Sequence, residues 1–277
     1  YAIATDSCTS ALFISLKYFA ADIEREWPIT IPSMTVPLVG NAVIEAGYEL
    51  YFNDDIGWVG NAYTLVGSNI IDSAHQLKRD MCKQLPDCNY CFSFYPTKPI
   101  GSADGGMIAT NDEKFAEWAR SVITYGRNQK QKYQNSWEYD TERLGYKRHY
   151  TNLQAVIVLE QLRRLDETNE LRRSIRDKFN DAFELQNDSL YLYRLNVKHR
   201  NQFIEFMADD GIECGVHFKP LHQMQAFREF EFEPESDHKI VDMAYDQTVS
   251  IPFYETLTEA EQDLIINKVK EWRAKIG

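Results

Sequence analysis

The chain reads as an α/β protein, with a large domain over residues 1–165 on a mostly parallel mixed sheet and a smaller C-terminal α+β domain over residues 166–277 that includes a linking helix. Three observations carry this. Short apolar runs bounded by Gly and Pro alternate with helical patterns through the first half, as expected of strands joined by helices. The second half opens on one long, charged helical stretch, 152–185, that can join two domains. Finally, 277 residues at 44% hydrophobic and 26% charged suffice for one large core and one smaller.

In order, Tyr1 to Thr5 is a short strand, so the chain opens as though in mid-fold. Thr9 and Ser10 precede A-L-F-I-S-L-K-Y-F, where Leu12, Phe13, Leu16 and Phe19 recur at helical spacing behind a hydroxyl cap. Ile29 to Ile31 is a strand stopped by Pro32. Asn41 to Ala46 is a helix of small residues closed by Gly47, and Tyr48 to Phe52 is the next strand. Short runs follow at Ala62 to Val66 and Asn69 to Ile71. Then come the strand entering C-F-S-F-Y, a G-G-M-I-A-T strand from Gly105 to Thr110, and a helix from Glu113 to Val122. Beyond the long helix, Leu190 to Val197 alternates as a strand, Gln202 to Asp209 is helical, Cys214 to Phe218 is a strand, and Glu259 to Lys275 is an amphipathic closing helix. Phe232 to Asp237 is a short acidic loop.

A formal charge of −12 argues against an extended nucleic-acid or anionic-membrane surface, so a phosphate-bearing ligand needs a local cluster of donors. No apolar run approaches the roughly 18 residues of a membrane span, and no basic-then-apolar leader is present. Cys8, Cys82, Cys88, Cys91 and Cys214 are an odd set in a chain too large to need staples. Reduced thiols and a cytoplasmic location are expected. Cys88 and Cys91 form a C-x-x-C, but no second pair completes a tetrahedral site, and no metal is expected.

Four segments carry chemistry. In C-F-S-F-Y-P-T-K-P-I, Pro96 and Pro99 bar the strand from continuing, which holds Lys98 on a stiff loop. An amine so placed can attack a carbonyl, as in Schiff-base and pyridoxal chemistry; a plain surface lysine shows the same local pattern. Asp72, in I-I-D-S-A-H, follows an apolar strand at the end where parallel sheets bind ligands. It can hold a pyridinium nitrogen protonated, or simply cap a helix. S-C-T-S-A-L, from Ser7 to Leu12, puts hydroxyls at a helix start suited to a phosphate, though capping explains them equally. L-G-Y-K-R-H-Y-T-N-L-Q-A brings Lys147, Arg148 and His149 into one basic turn.

Taken together and in this order, these segments, with I-P-S-M-T, G-G-M-I-A-T-N-D, G-V-H-F-K-P-L-H and S-I-P-F-Y, resemble the DegT/StrS-type sugar aminotransferases, pyridoxal-phosphate enzymes of fold type I. The resemblance covers nearly the whole chain. It implies that Lys98 forms the Schiff base with pyridoxal 5'-phosphate and shuttles the proton, that Asp72 pairs with the pyridine nitrogen, and that Ala74 lies on one ring face. It places His75 by the ring hydroxyl, and Thr9, Ser10 and Ser93 around the phosphate. His217, Lys219 and His222 would line a sugar-nucleotide channel, a structural role being equally open for the two histidines. The implied reaction moves an amino group from glutamate to a nucleotide-linked keto sugar, in a homodimer whose active site is shared between subunits.

The chain also departs from that pattern. Val36 stands where an aromatic residue usually stacks on the ring, Pro99 where an asparagine usually follows the lysine, and Lys147 where the partner-subunit asparagine is expected. Lysine remains a good phosphate partner. An N-terminal arm and a helix between Asp55 and Asp72 look missing: seventeen positions cannot hold two strands and a crossover helix. The alternative function is therefore a shortened, non-catalytic relative acting as a cofactor- or ligand-binding or regulatory module. A related sugar dehydratase is disfavoured, since those enzymes resemble this chain but carry histidine in place of Lys98.

Overall fold

In the computed structural model, which describes residues 1–21, 27–127, 135 and 137–276, the chain divides into two units. The first comprises Tyr1–Thr30, Leu38–Leu50 and Ala62–Leu162; the second comprises Ile31–Pro37, Tyr51–Asn61 and Arg163–Gly277. Along the chain, the first half contains β1 (Ala2–Thr5), α1 (Cys8–Ala21), β2 (Ile29–Pro32), α2 (Pro37–Ala46), β3 (Leu50–Asn53), β4 (Tyr63–Leu65), β5 (Ile70–Asp72), β6 (Asn89–Ser93), β7 (Gly106–Ala109) and α3 (Glu113–Val122). The long α4 (Asn152–Phe183) is followed by β8 (Tyr193–Asn196), α5 (Arg200–Ala208), α6 (His238–Gln247), β9 (Thr248–Ile251) and α7 (Glu259–Ile276). Among the described residues no helix is long and apolar enough to cross a membrane.

The first unit is built on a five-stranded sheet in the order β1-β7-β6-β5-β4. Its central β6 is buried along Asn89–Phe92, as a strand covered on both faces must be. Helix α1 packs on β5, β6 and β7, and α3 packs on α1 and β1. Burial of Leu12, Phe13, Ile14 and Leu16 shows α1 apolar nearly all round, the pattern of an interior helix. At the start of α3, Asp112 accepts the Phe115 N–H at 3.0 Å, a side-chain cap for its first turn.

The sheet is mixed rather than mostly parallel. Only β5–β6 is a parallel pair; β1–β7, β6–β7 and β4–β5 are antiparallel. Two physical causes account for the difference. Strand β7 inserts between β1 and β6, which point the same way. With too few residues before Asp72 for a crossover, the chain instead folds β4 back on β5 as a hairpin, Leu65 opposite Ile70. Gly67 makes that turn at φ +90°, a conformation that excludes most side chains.

The second unit has its own core. Ile175, Phe179 and Phe183 of α4 meet Tyr193 and Leu195 of β8, Phe203 and Met207 of α5, Val249 and Ile251 of β9, and Ile265, Val269 and Trp272 of α7. Strands β8 and β9 pair antiparallel. Residues Cys214–Phe218 do not form the expected strand: Gly215 makes one bridge to Ser250, exchanging N–H and carbonyl at 2.9 and 2.7 Å, and Pro220 ends any further pairing. Helix α6 and strand β9 were not foreseen as such. Helix α6 buries little beyond Val241, so its periodicity is weak, although Asp237 caps it by accepting the Lys239 N–H at 2.9 Å.

Candidate active site

Because β7 is antiparallel to both β1 and β6, and β5 is parallel to β6, strands β1, β5 and β6 share one direction. Their carboxyl ends therefore meet at one sheet edge, where α/β sheets place ligands. Strand β1 leads into α1, β5 ends at Asp72, and β6 ends at Ser93 before the Lys98 loop. Gly106, paired with both Thr5 and Ser93, lies beneath the first turn of α1. A Cβ there would sit 2.4 Å from Ser7 C and 2.5 Å from Cys8 N, so glycine is what lets the helix start descend onto the sheet. Gly106→Ala should push that turn off the sheet and lower stability by about 1–3 kcal/mol, read as a shift in the denaturant midpoint at unchanged slope.

Asp72 is only 4% exposed. Its Oδ1 accepts the Ala74 N–H at 2.9 Å, and Tyr63, its partner across the hairpin, also hydrogen-bonds the carboxylate. Burial pushes its carboxyl above the ordinary range, against the lowering pull of the Ala74 N–H, the Lys98 charge and Tyr63. The Cys8 thiol is pushed well up too, by burial first and then by Asp72 and Cys91, with Lys98 opposing. Asp72, Cys8, Cys91 and Lys98 thus lie within each other's fields. A buried carboxylate whose desolvation outweighs its protein partners suits a cationic heterocycle nitrogen. Tyr63 and Cys8 escaped the sequence reading: the first needed the hairpin, and a lone cysteine carries no signal.

The Lys98 loop is closed at its base. Phe94 donates its N–H to the Gly105 carbonyl and accepts the Ser102 N–H, both at 2.8 Å, while the Lys98 N–H donates to the Tyr95 carbonyl at 2.9 Å. Lys98 itself is half-buried. At the start of α1 the cap is Ser7, not Thr9 or Ser10: Ser7 Oγ accepts the Ser10 N–H at 3.1 Å and donates to Ser10 Oγ at 3.1 Å. Ser10 is accordingly buried, and Thr9, Ala74 and Ser93 are half-buried. His75 is buried, and Lys147 is exposed beside Arg148, whose carbonyl accepts the Asp6 N–H at 2.9 Å and ties the basic turn to the start of α1.

The remaining sequence-predicted residues belong to the second unit. Val36 is half-buried and follows the fully buried Ser33, Met34 and Thr35. His217 Nδ1 lies 2.9 Å from Ser250 Oγ, Lys219 is exposed, and His222 is held between Ser33 and Asp242. The first unit gathers Thr9, Ser10, Asp72, Ser93 and Lys98 at the common sheet edge, with Ala74 and His75 directly after β5.

The profile of the DegT/DnrJ/EryC1/StrS aminotransferase family matches residues 81–270. The chain is 26% identical to the spore coat polysaccharide biosynthesis protein SpsC of Bacillus subtilis, over 98% of this chain and 85% of that one. Their alignment runs to 333 positions against the 277 residues present, so the relative carries internal segments this chain lacks. The aminotransferase TlmJ from Streptoalloteichus hindustanus is similar in fold, with a TM-score of 0.83 at 20% identity, covering 100% of this chain and 86% of that one. A Streptococcus pneumoniae chain solved in its PLP-form matches with a TM-score of 0.77 at 18% identity, over 100% and 88% of the two chains. These likenesses identify the fold as that of fold-type I sugar aminotransferases. With the family profile matching more than half its length, the chain belongs to the DegT/DnrJ/EryC1/StrS aminotransferase family and is a pyridoxal-phosphate-dependent aminotransferase.

Proposed function

We propose that the protein transfers an amino group from glutamate to a keto sugar carried on a nucleotide diphosphate, working as a homodimer. The observation that carries this is the meeting of buried Asp72, the pinned Lys98 loop and the first turn of α1 at one sheet edge. Those residues fit pyridoxal phosphate. The burial of Asp72 is only partly offset within the protein, which suits a protonated ring nitrogen, and the α1 start sits low on the sheet where its N–H groups and positive end can meet a phosphate dianion.

In this reading Thr9, Ser10 and Ser93 hold the phosphate, Ala74 and Val36 cover the ring faces, and His75 sits by the ring hydroxyl. When bound, the cofactor supplies an electron sink for the substrate carbon. Lys98 Nζ takes a proton from that carbon and returns one, and closure of its loop at Phe94, Ser102 and Gly105 limits the volume the amine samples. Asp72 keeps the nitrogen protonated throughout. Of the segment proposed to line the sugar-nucleotide channel, His217 and exposed Lys219 are the contacts, Lys219 being able to meet a diphosphate.

A second copy is supported by apolar surface near Lys147: Leu144 is 98% exposed, Leu153 83% and Val156 67%, more apolar exposure than a monomer keeps without reason. In that homodimer Lys147 would serve the phosphate site of the partner subunit. The five free thiols support a reducing cytoplasm. The test is a single-turnover assay: loaded enzyme with glutamate alone should release one equivalent of 2-oxoglutarate per site, and a nucleotide-linked keto sugar added next should leave as the amine. A protein that binds the cofactor but converts no amino donor is a binding module instead.

A further inference from the structure

His222 has both ring nitrogens occupied. Nδ1 is 2.7 Å from Ser33 Oγ, and Nε2 is 2.9 Å from Asp242 Oδ1, which also accepts from Gln223 Nε2. A carboxylate can only accept, so Nε2 directs an N–H at Asp242, while Nδ1 pairs with the Ser33 hydroxyl. Ser33 is 0% exposed, so its hydroxyl meets only protein neighbours. Its backbone is fixed as well: the Ser33 N–H donates to the Asn53 carbonyl at 3.0 Å, and its own carbonyl accepts the Leu221 N–H at 2.8 Å. Met34 and Thr35 are equally buried, and exposure resumes only at Val36.

We infer that Ser33, His222 and Asp242 form a positioning relay. It locks the 33–36 segment to α6 and to the turn at 220–223, so that Val36 keeps one position and His222 makes no contact with substrate. This rests on the reading of Val36 as a cover for the cofactor ring. An aliphatic side chain lacks the stacking contribution that would draw an aromatic one onto a ring, so its placement depends on the backbone that carries it.

The test uses the full chain and the variants Ser33→Ala, His222→Gln, His222→Asn and Asp242→Asn. Pyridoxal phosphate affinity is titrated on apo protein by tryptophan fluorescence, and KM for the nucleotide sugar is measured separately. Ser33→Ala and His222→Gln should each weaken cofactor binding about three- to tenfold, the worth of one hydrogen bond, with the double variant no worse than the poorer single. His222→Asn, whose carboxamide overlays the Nδ1 edge, should recover most of the loss, and KM for the sugar should stay put. A raised KM with unchanged cofactor affinity in the His222 variants would make His222 a substrate contact and overturn the relay. So would additive Ser33→Ala and Asp242→Asn effects on apo unfolding, a measurement that needs no cofactor and that also shows each variant is folded. If wild-type protein takes up no cofactor while the two apo effects remain coupled, the functional reading fails and the role given to Val36 falls with it, whereas the relay's bonds stand.

Discussion

Lys98→Ala is expected to abolish covalent capture of pyridoxal phosphate and to lower transamination by about 10³-fold or more, the scale of a lost proton shuttle. Borohydride should fix the cofactor mass onto the peptide containing Lys98 in wild type and onto none in the variant. Non-covalent binding should survive in part, because the α1 start and Ser93 are untouched. Lys98 also has an electrostatic role, since its charge draws the Asp72 carboxyl and the Cys8 thiol downward. Lys98→Arg separates the two roles, keeping the charge but supplying a guanidinium that is not a competent nucleophile. An Arg variant as inactive as the Ala variant, but with unchanged apo stability, assigns the loss to the missing amine. An active Arg variant would reduce Lys98 to a counter-charge.

Much of the first unit was legible because local chemistry and tertiary context agree there. The breaks at Pro32, Pro96 and Pro99 mark element ends without help from distant residues. The direction of strands was not legible: I-I-D reads as a buried strand whether β4 precedes it by a crossover or by a hairpin, and only the shortness of the segment before Asp72 hints at the latter. The cap of α1 was read late because S-C-T-S offers three hydroxyls, and only the packing of Ser7 over Gly106 selects one. His222 shows the same limit in the site. Its motif left a ligand role and a structural role equally open, and the partners that occupy both nitrogens in the fold, Ser33 and Asp242, lie far away in sequence.

Asp72→Asn should make the apo protein more stable and the enzyme nearly inactive. The carboxyl of Asp72 is raised in the fold, mainly by burial, so between the unfolded value near ~3.9 and the raised folded value the native chain binds more protons than the unfolded one. Stability therefore falls as pH rises through that window and stays lowered above it. Asparagine removes the buried charge, can keep the Ala74 N–H on its carbonyl oxygen, and can donate to Tyr63, whose hydroxyl also accepts. At neutral pH the apo variant should gain about 0.5–2 kcal/mol, the usual return from relieving one functional compromise, with a flatter pH dependence in the acid range. Its activity should drop about 10²–10³-fold or more, since no carboxylate holds the ring nitrogen protonated. The cofactor should reverse the order of stability, because a protonated nitrogen gives the wild-type carboxylate the counter-charge that burial denies it in the apo protein. Thermal melts of both proteins with and without pyridoxal phosphate check this crossing, and an Asp72→Asn protein less stable than wild type in both states would mean that Tyr63, Ala74 and Lys98 already satisfy the carboxylate, leaving it no cationic ligand to hold.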